Sequence, residues 1–151
     1  MAVRFSSTIC LGIFFALAGC APDAPLVVDR GGAPLPYSVV VAEGIRDGYY
    51  LNAQLALFAP DLITSLRMQL RIEIGIRPRL LAGTWTLRTA SGRITADWLE
   101  FFGGQGGSPV IAGRFRLHAA APDTGSSYVV NLPKTHIKPS GLDFQRVAPF
   151  R

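Results

Sequence analysis

Leu66-Arg67-Met68-Gln69-Leu70-Arg71-Ile72-Glu73-Ile74-Gly75-Ile76 is the stretch whose pattern decides the fold class. Apolar side chains take every second position from Leu66 to Ile76. Arg67, Gln69, Arg71, Glu73 and Gly75 fill the gaps. Successive side chains of a strand point to opposite faces, so this stretch forms one apolar and one wet face when extended. A helix would need Asp61 as N-cap with Leu62, Leu66, Leu70 and Ile74 in line. That template leaves Met68, Ile72 and Ile76 off the apolar face. The alternation therefore predicts a half-buried strand over 66–76, with at most a short helical turn at 61–65.

The same period runs outward in both directions. Upstream, Tyr37 to Glu43 is valine-rich and reads as a strand ended by Gly44, and Arg46-Asp47-Gly48 supplies a turn. From Tyr49 to Ala59, Tyr49, Leu51, Ala53, Leu55 and Leu57 alternate with polar Asn52 and Gln54, until Pro60-Asp61 breaks the run. Downstream, Arg77-Pro78-Arg79 ends the central strand. Gly83 to Thr89 forms another, with Trp85 and Leu87 on one face. Ala90-Ser91-Gly92 has hairpin-turn composition. Arg93 to Phe102 follows, its alternation blurring at Leu99. Val110 to Ala119 places Ile111, Gly113, Phe115, Leu117 and Ala119 opposite Arg114, Arg116 and His118. Residues 122–126 turn the chain, Tyr128 to Leu132 is a strand stopped by Pro133, and Leu142 to Val147 is a candidate last strand. Short strands divided by Gly and Pro signals predict an all-β domain: an antiparallel β-sandwich or partly open barrel of about seven to eight strands.

The amino terminus carries a different signal. Met1 to Ser7 holds one charge, Arg4, and Thr8 to Ala18 is a run of Ile, Leu and Phe. The run is too short to span a bilayer, which takes about 20 apolar residues, and has the anatomy of a signal peptide. Leu17-Ala18-Gly19-Cys20 closes it and resembles the lipobox of bacterial lipoproteins. The resemblance covers residues 1–20. It implies cleavage before Cys20, lipidation of the Cys20 thiol and acylation of the new amino terminus. Several acyl chains make a stable anchor where one would not. Ala21, in place of aspartate, implies sorting to the outer membrane if the organism is Gram-negative. Residues 1–19 are then a cleaved signal, 20–36 a tether and 37–151 the β domain. The tether holds Pro22, Pro25, Pro34, Pro36 and Gly31-Gly32, and could reach about 55 Å when extended. Leu26-Val27-Val28 has the composition to dock instead as an edge strand. Gly83-Thr84-Trp85-Thr86-Leu87 and Ala112-Gly113-Arg114-Phe115-Arg116-Leu117 also resemble, at the level of pattern, small β-sandwich domains of envelope lipoproteins.

Of 151 residues, two are cysteines; Cys10 leaves with the signal and Cys20 is consumed by lipid. The mature chain then has no disulfide, thiolate metal site or cysteine nucleophile. Loss of Arg4 takes Lys+Arg from 15 to 14 against 10 acidic residues, a formal charge of +4 carried almost wholly by arginine. Such a balance tolerates anionic partners but first speaks to solubility. Nucleic acid is not expected in this compartment.

Motifs for chemistry are absent. Gly103–Gly107 lacks the Lys-Ser/Thr of a phosphate loop, no G-x-S-x-G surrounds a serine, and His118 and His136 have no ligand spacing to another candidate. Neither a cofactor nor a metal is expected, and the chain is read as non-enzymatic. Two surface constellations remain. Arg67 and Arg71 share one strand face, as do Arg114, Arg116 and His118. Were their strands neighbours, they would make a positive stripe for phosphate or carboxylate groups. The second is aromatic. Adjacent Tyr49-Tyr50 and Phe101-Phe102 must each send one ring outward, and Trp85 and Trp98 complete the set. The leading expectation is a structural or adaptor lipoprotein, held to the membrane by its lipid and binding another envelope protein. A module for an anionic lipid or glycan is the second reading and an envelope hydrolase the third. The sequence is silent on oligomeric state.

Overall fold

Alternation at Leu66, Met68, Leu70 and Ile72 buries all four completely, while Arg67 stays exposed and Gln69 and Arg71 are half-buried. In the computed structural model, which describes residues 24–103, 108–121 and 127–140, this strand is the fifth of ten. They are β1 (Leu26–Asp29), β2 (Pro34–Leu35), β3 (Val39–Asp47), β4 (Tyr50–Phe58), β5 (Ser65–Glu73), β6 (Arg79–Leu87), β7 (Ala90–Phe102), β8 (Val110–Ala119), β9 (Ser127–His136) and β10 (Lys138–Pro139). No helix occurs among the described residues. The order across the sheet is β10-β3-β4-β5-β6-β7-β8-β9-β1-β2. β3 to β9 form an up-and-down antiparallel meander, and β10 alone pairs in parallel, on β3.

The sheet is single, curled and mixed. A register row from Gly44 passes through Ala53, Leu70 and Gly83, crosses beside Ile94, and continues to Leu117 and Tyr128. Yet Gly44 is also the partner of Pro139, eleven residues beyond Tyr128 on the same run of chain. Such a stagger is what tilted strands accumulate as a sheet curls back on itself. It brings the tip beyond β9 beside β3, and the result is a half-barrel. Among the described residues no second sheet is stacked on it as a sandwich would require: one curled sheet presents its concave face to itself and buries its apolar side chains there. Ten strands replace the expected seven or eight because three short ones, β1, β2 and β10, dress the edges of the seven-strand meander.

That concave face is filled. Trp85, Phe115, Met68, Ile111 and a set of leucines are buried, and no polar or charged residue among those described is buried. Trp85 meets the edge of Tyr128 at 5.5 Å between centroids and 83° between planes, a favourable aromatic geometry.

Several boundaries differ from the sequence pattern for local reasons. Ile74 remains buried, but β5 ends at Glu73 and Ile76 stands fully exposed in the following turn. No helical turn forms at 61–65. Asp61 instead accepts bonds from the backbone N–H groups of Ile63 and Thr64, each 2.9 Å, and from the Thr64 hydroxyl at 3.0 Å. These bonds, Thr64 N–H first, hold the Asp61 carboxyl below its usual range. Gly44 does not end β3, which runs to Asp47. Pro133 does not stop β9. It sits where Pro133 and Lys134 together oppose Ala112, a bulge that has no ladder bond for proline to break. Within 20–36, the described residues from 24 onward include β1 and β2. β1 lies antiparallel to β9 with Val27 fully buried, so this part docks as a hairpin. The candidate strand 142–147 lies outside the described residues.

The β6–β7 turn sits at Arg88-Thr89, two residues before the expected glycine-containing turn, and Arg88 has φ 55°. A side chain pays about 1–2 kcal/mol for that left-handed backbone, which glycine avoids. Arg88→Gly is therefore expected to raise stability by up to about 1 kcal/mol after glycine's own entropy cost, read as a higher urea midpoint with an unchanged slope.

Candidate functional site

The five predicted surface residues fall on two strands that are not neighbours. Arg67 and Arg71 lie on β5, and Arg114, Arg116 and His118 on β8, with β6 and β7 between them. No single stripe forms. Arg71 lies over the Tyr50 ring, 5.2 Å from its centroid, and its Nε is buried without a hydrogen-bond partner. Arg67 borders a groove of about 200 Å³ on the convex face with Glu43, Gln54 and Gln69.

On β8 the arginines are engaged. Ala96 pairs with Phe115 and Trp98 with Arg114, which leaves Asp97 as an extra residue in β7. This bulge turns Asp97 outward between two arginines. Arg116 Nε donates to both Asp97 oxygens at 2.8 and 3.0 Å, and Arg114 Nε lies 3.4 Å from Oδ2. The Arg116 bond, followed by the charges of both arginines, holds the Asp97 carboxyl below its usual range; Asp97 in turn raises Arg116. His118 Nε2 shares a 2.9 Å hydrogen bond with the Thr95 hydroxyl, so its partner on the neighbouring strand is not a carboxylate. The sequence signal for this clamp is the blurring of the alternation at Leu99, the downstream trace that one extra residue leaves in a period of two.

Because the folded Asp97 pKa is depressed, the clamp contributes fully above the unfolded carboxylate value. Its contribution fades as pH falls through the lower folded value. Asp97→Asn is expected to lower stability slightly at neutral pH, the groups being exposed, and to lose less on acidification, so that variant and wild type converge below about pH 4. Urea midpoints across an acid series, wild type against variant, measure this.

The feature missed from sequence is a split in the sheet. β6 and β7 pair only from Thr84–Leu87 to Ala90–Arg93, although both strands continue well past that ladder. Each carries a bulge just beyond it: Leu81 is the extra residue against Arg71 and Ile72, and Asp97 the extra residue against β8. Bulges bend and twist their strands, and here the two diverge. The gap between them is a cleft of about 500 Å³ lined by residues 78–82 and 94–99. Leu81 and Trp98 stand there 44% and 46% exposed, with Leu80 and Leu99 half-buried below. The facing backbone edges carry no ladder between them, which is the state in which a strand accepts another strand.

The two adjacent aromatic pairs gather at one rim. Tyr49 is 76% exposed in its turn and Tyr50 also stands partly out, so this pair sends both rings outward. Phe102 is exposed and Phe101 half-buried, with the Arg46 guanidinium 5.8 Å from its centroid. Trp85 is core. Cys20 and residues 104–107 lie outside the described residues. Among the described residues, no group of three or more His, Asp or Glu is placed to hold a metal ion, and no helix is long and apolar enough to cross a membrane. No protein-family model, curated protein or solved structure matches the chain.

Proposed function

We propose that this chain is a lipid-anchored, outer-membrane lipoprotein that faces the periplasm and acts as a non-enzymatic adaptor for another cell-envelope protein. The lipobox-like Leu17–Cys20 supplies the anchor. The observation that carries the adaptor reading is the β6–β7 cleft, where exposed Leu81 and Trp98 sit beside unladdered strand edges. A partner strand entering there gains backbone hydrogen bonds from the edges and apolar burial from the two side chains. The arginine-stripe reading loses its basis, because β5 and β8 are separated and Arg114 and Arg116 are held by Asp97.

The test has two arms. Cys20→Ser should abolish labelling by a palmitate analogue and release the protein from the membrane fraction. A photo-crosslinking residue at Trp98 should capture the same envelope protein in repeated trials, and Leu81→Asp should abolish capture. Capture that survives Leu81→Asp, or no reproducible partner, would overturn the adaptor reading. Labelling that survives Cys20→Ser would overturn the anchor.

A further inference from the structure

The meander sorts its turns onto two rims. One rim carries the turns after β3 and β5 and the ends of β7 and β9; the other carries the turns after β4, β6 and β8. The first is tipped by Tyr49 and by Ile76, which has no packing at all at 105% exposure. Exposed Arg46 and Arg77 flank these tips, and Arg79 stands just below. Lys134 lies 4.5 Å from the centroid of exposed Phe102. Among the described residues, the acidic groups on this side are Asp47, Glu100 and Glu73, and Glu73 is already held by Arg79. The opposite rim has an apolar tip of its own, Leu62 and Ile63, but no exposed aromatic among its described residues. Its Arg30 and Arg88 are offset by Asp29 and Asp61.

The direction of β1 separates the two rims. β9 runs toward the Tyr49/Ile76 rim, and β1 is antiparallel to it. The chain before Leu26 therefore enters from the side of that rim. Only five residues lie between Cys20 and Leu26, so the six steps reach at most about 20 Å. Since 26–35 is docked, the anchor cannot hold the body far from a bilayer.

We propose that the Tyr49/Ile76 rim is a membrane-contact surface for anionic phospholipid. Tyrosine and phenylalanine rings and Ile76 enter the interfacial layer, and Arg46, Arg77 and Lys134 meet the headgroup charge. This deepens the anchored reading by giving the body an orientation, but it requires no acyl chain. Vesicle binding by unlipidated protein therefore tests it separately from palmitate labelling.

All described pairings and the whole buried core lie at or beyond Leu26, so a chain starting at Ala21 keeps the complete fold. This chain is co-sedimented with phosphatidylcholine vesicles containing or lacking phosphatidylglycerol. Binding is expected only with phosphatidylglycerol and should weaken as salt rises. Each basic side chain near the surface is worth about fivefold, so Arg46→Gln with Arg77→Gln should weaken binding about thirtyfold. Ile76→Asp should weaken it severalfold, and Ile63→Asp on the far rim should leave it unchanged. Circular dichroism checks that each variant is folded. Absence of binding to the anionic vesicles would overturn the proposal. So would salt-independent binding, or equal loss from Ile63→Asp and Ile76→Asp.

Discussion

Gly92→Ala is expected to destabilise the domain by about 2–6 kcal/mol, and the upper part of that range is reserved for a few mechanisms. Gly92 lies in β7 between Trp85 on β6 and Ala119 on β8. The Trp85 indole reaches across it, and Nε1 donates to the His118 carbonyl oxygen at 3.1 Å. A Cβ on residue 92 would fall on that oxygen, 2.8 Å from the His118 carbonyl carbon and 2.9 Å from Trp85 Nε1. The first obstacle is backbone, so no rotamer change relieves it; β7 and β8 must separate or Trp85 must leave. Overpacking of this kind costs about 1–3 kcal/mol, and an orphaned buried indole N–H adds about 1–3 more. Trp85→Phe isolates the second part. It keeps an aromatic ring, loses the donor, and should cost less than Gly92→Ala. In the double variant Trp85→Phe should cost less still, because the bond is already gone. Urea unfolding of the four proteins gives the comparison. A Gly92→Ala midpoint equal to wild type would refute the crossing geometry.

Gly92 also marks the limit of what the sequence discloses. Its residue type read as turn chemistry, but its reason is a contact 26 residues away in the chain, between Gly92 and His118. Patterns of period two survive folding well: Leu51 to Leu57, Leu66 to Ile72 and Ile111 to Leu117 are buried as their alternation predicts. Strand existence was therefore legible. Strand order was not, since alternation says which face is wet but nothing about neighbours. The expected Arg67–Arg114 stripe failed on that point first, and on the hold of Asp97 over Arg114 and Arg116 second. Bulges were legible only as noise. The blur near Leu99 records Asp97, and Asp97 decides both the arginine clamp and the opening beside Trp98. Single sheet and sandwich share one alternation pattern; what separates them is the unbroken succession of ladders from β3 to β9, and the parallel pairing of Lys138 and Pro139 with β3 then joins the curled ends.

That joint is where the second large effect is expected. Ile137 connects β9 to β10 and is 1% exposed. Its N–H donates to the Pro109 carbonyl at 2.7 Å, just before β8, and Ser140 N–H donates to Gly44 O at 3.0 Å on β3. One residue thus sits between the two ends of the curled sheet. Gly44 makes the room for it, since a Cβ there would stand 2.8 Å from Ile137 Cγ2. Truncation by Ile137→Ala leaves backbone bonds possible but opens a cavity, at a typical cost of about 2–5 kcal/mol. Ile137→Asp adds an unpaired charge to an apolar site and is expected to cost more than the alanine. Amide exchange shows where the loss falls. If Ile137 pins the joint, Ile137→Ala should speed exchange first in β3 and at residues 137–140, while β7 and β8 stay protected until global unfolding. Uniform acceleration across β3 to β9 would mean that Ile137 is ordinary core and that the meander holds its curl without the β10 pairing.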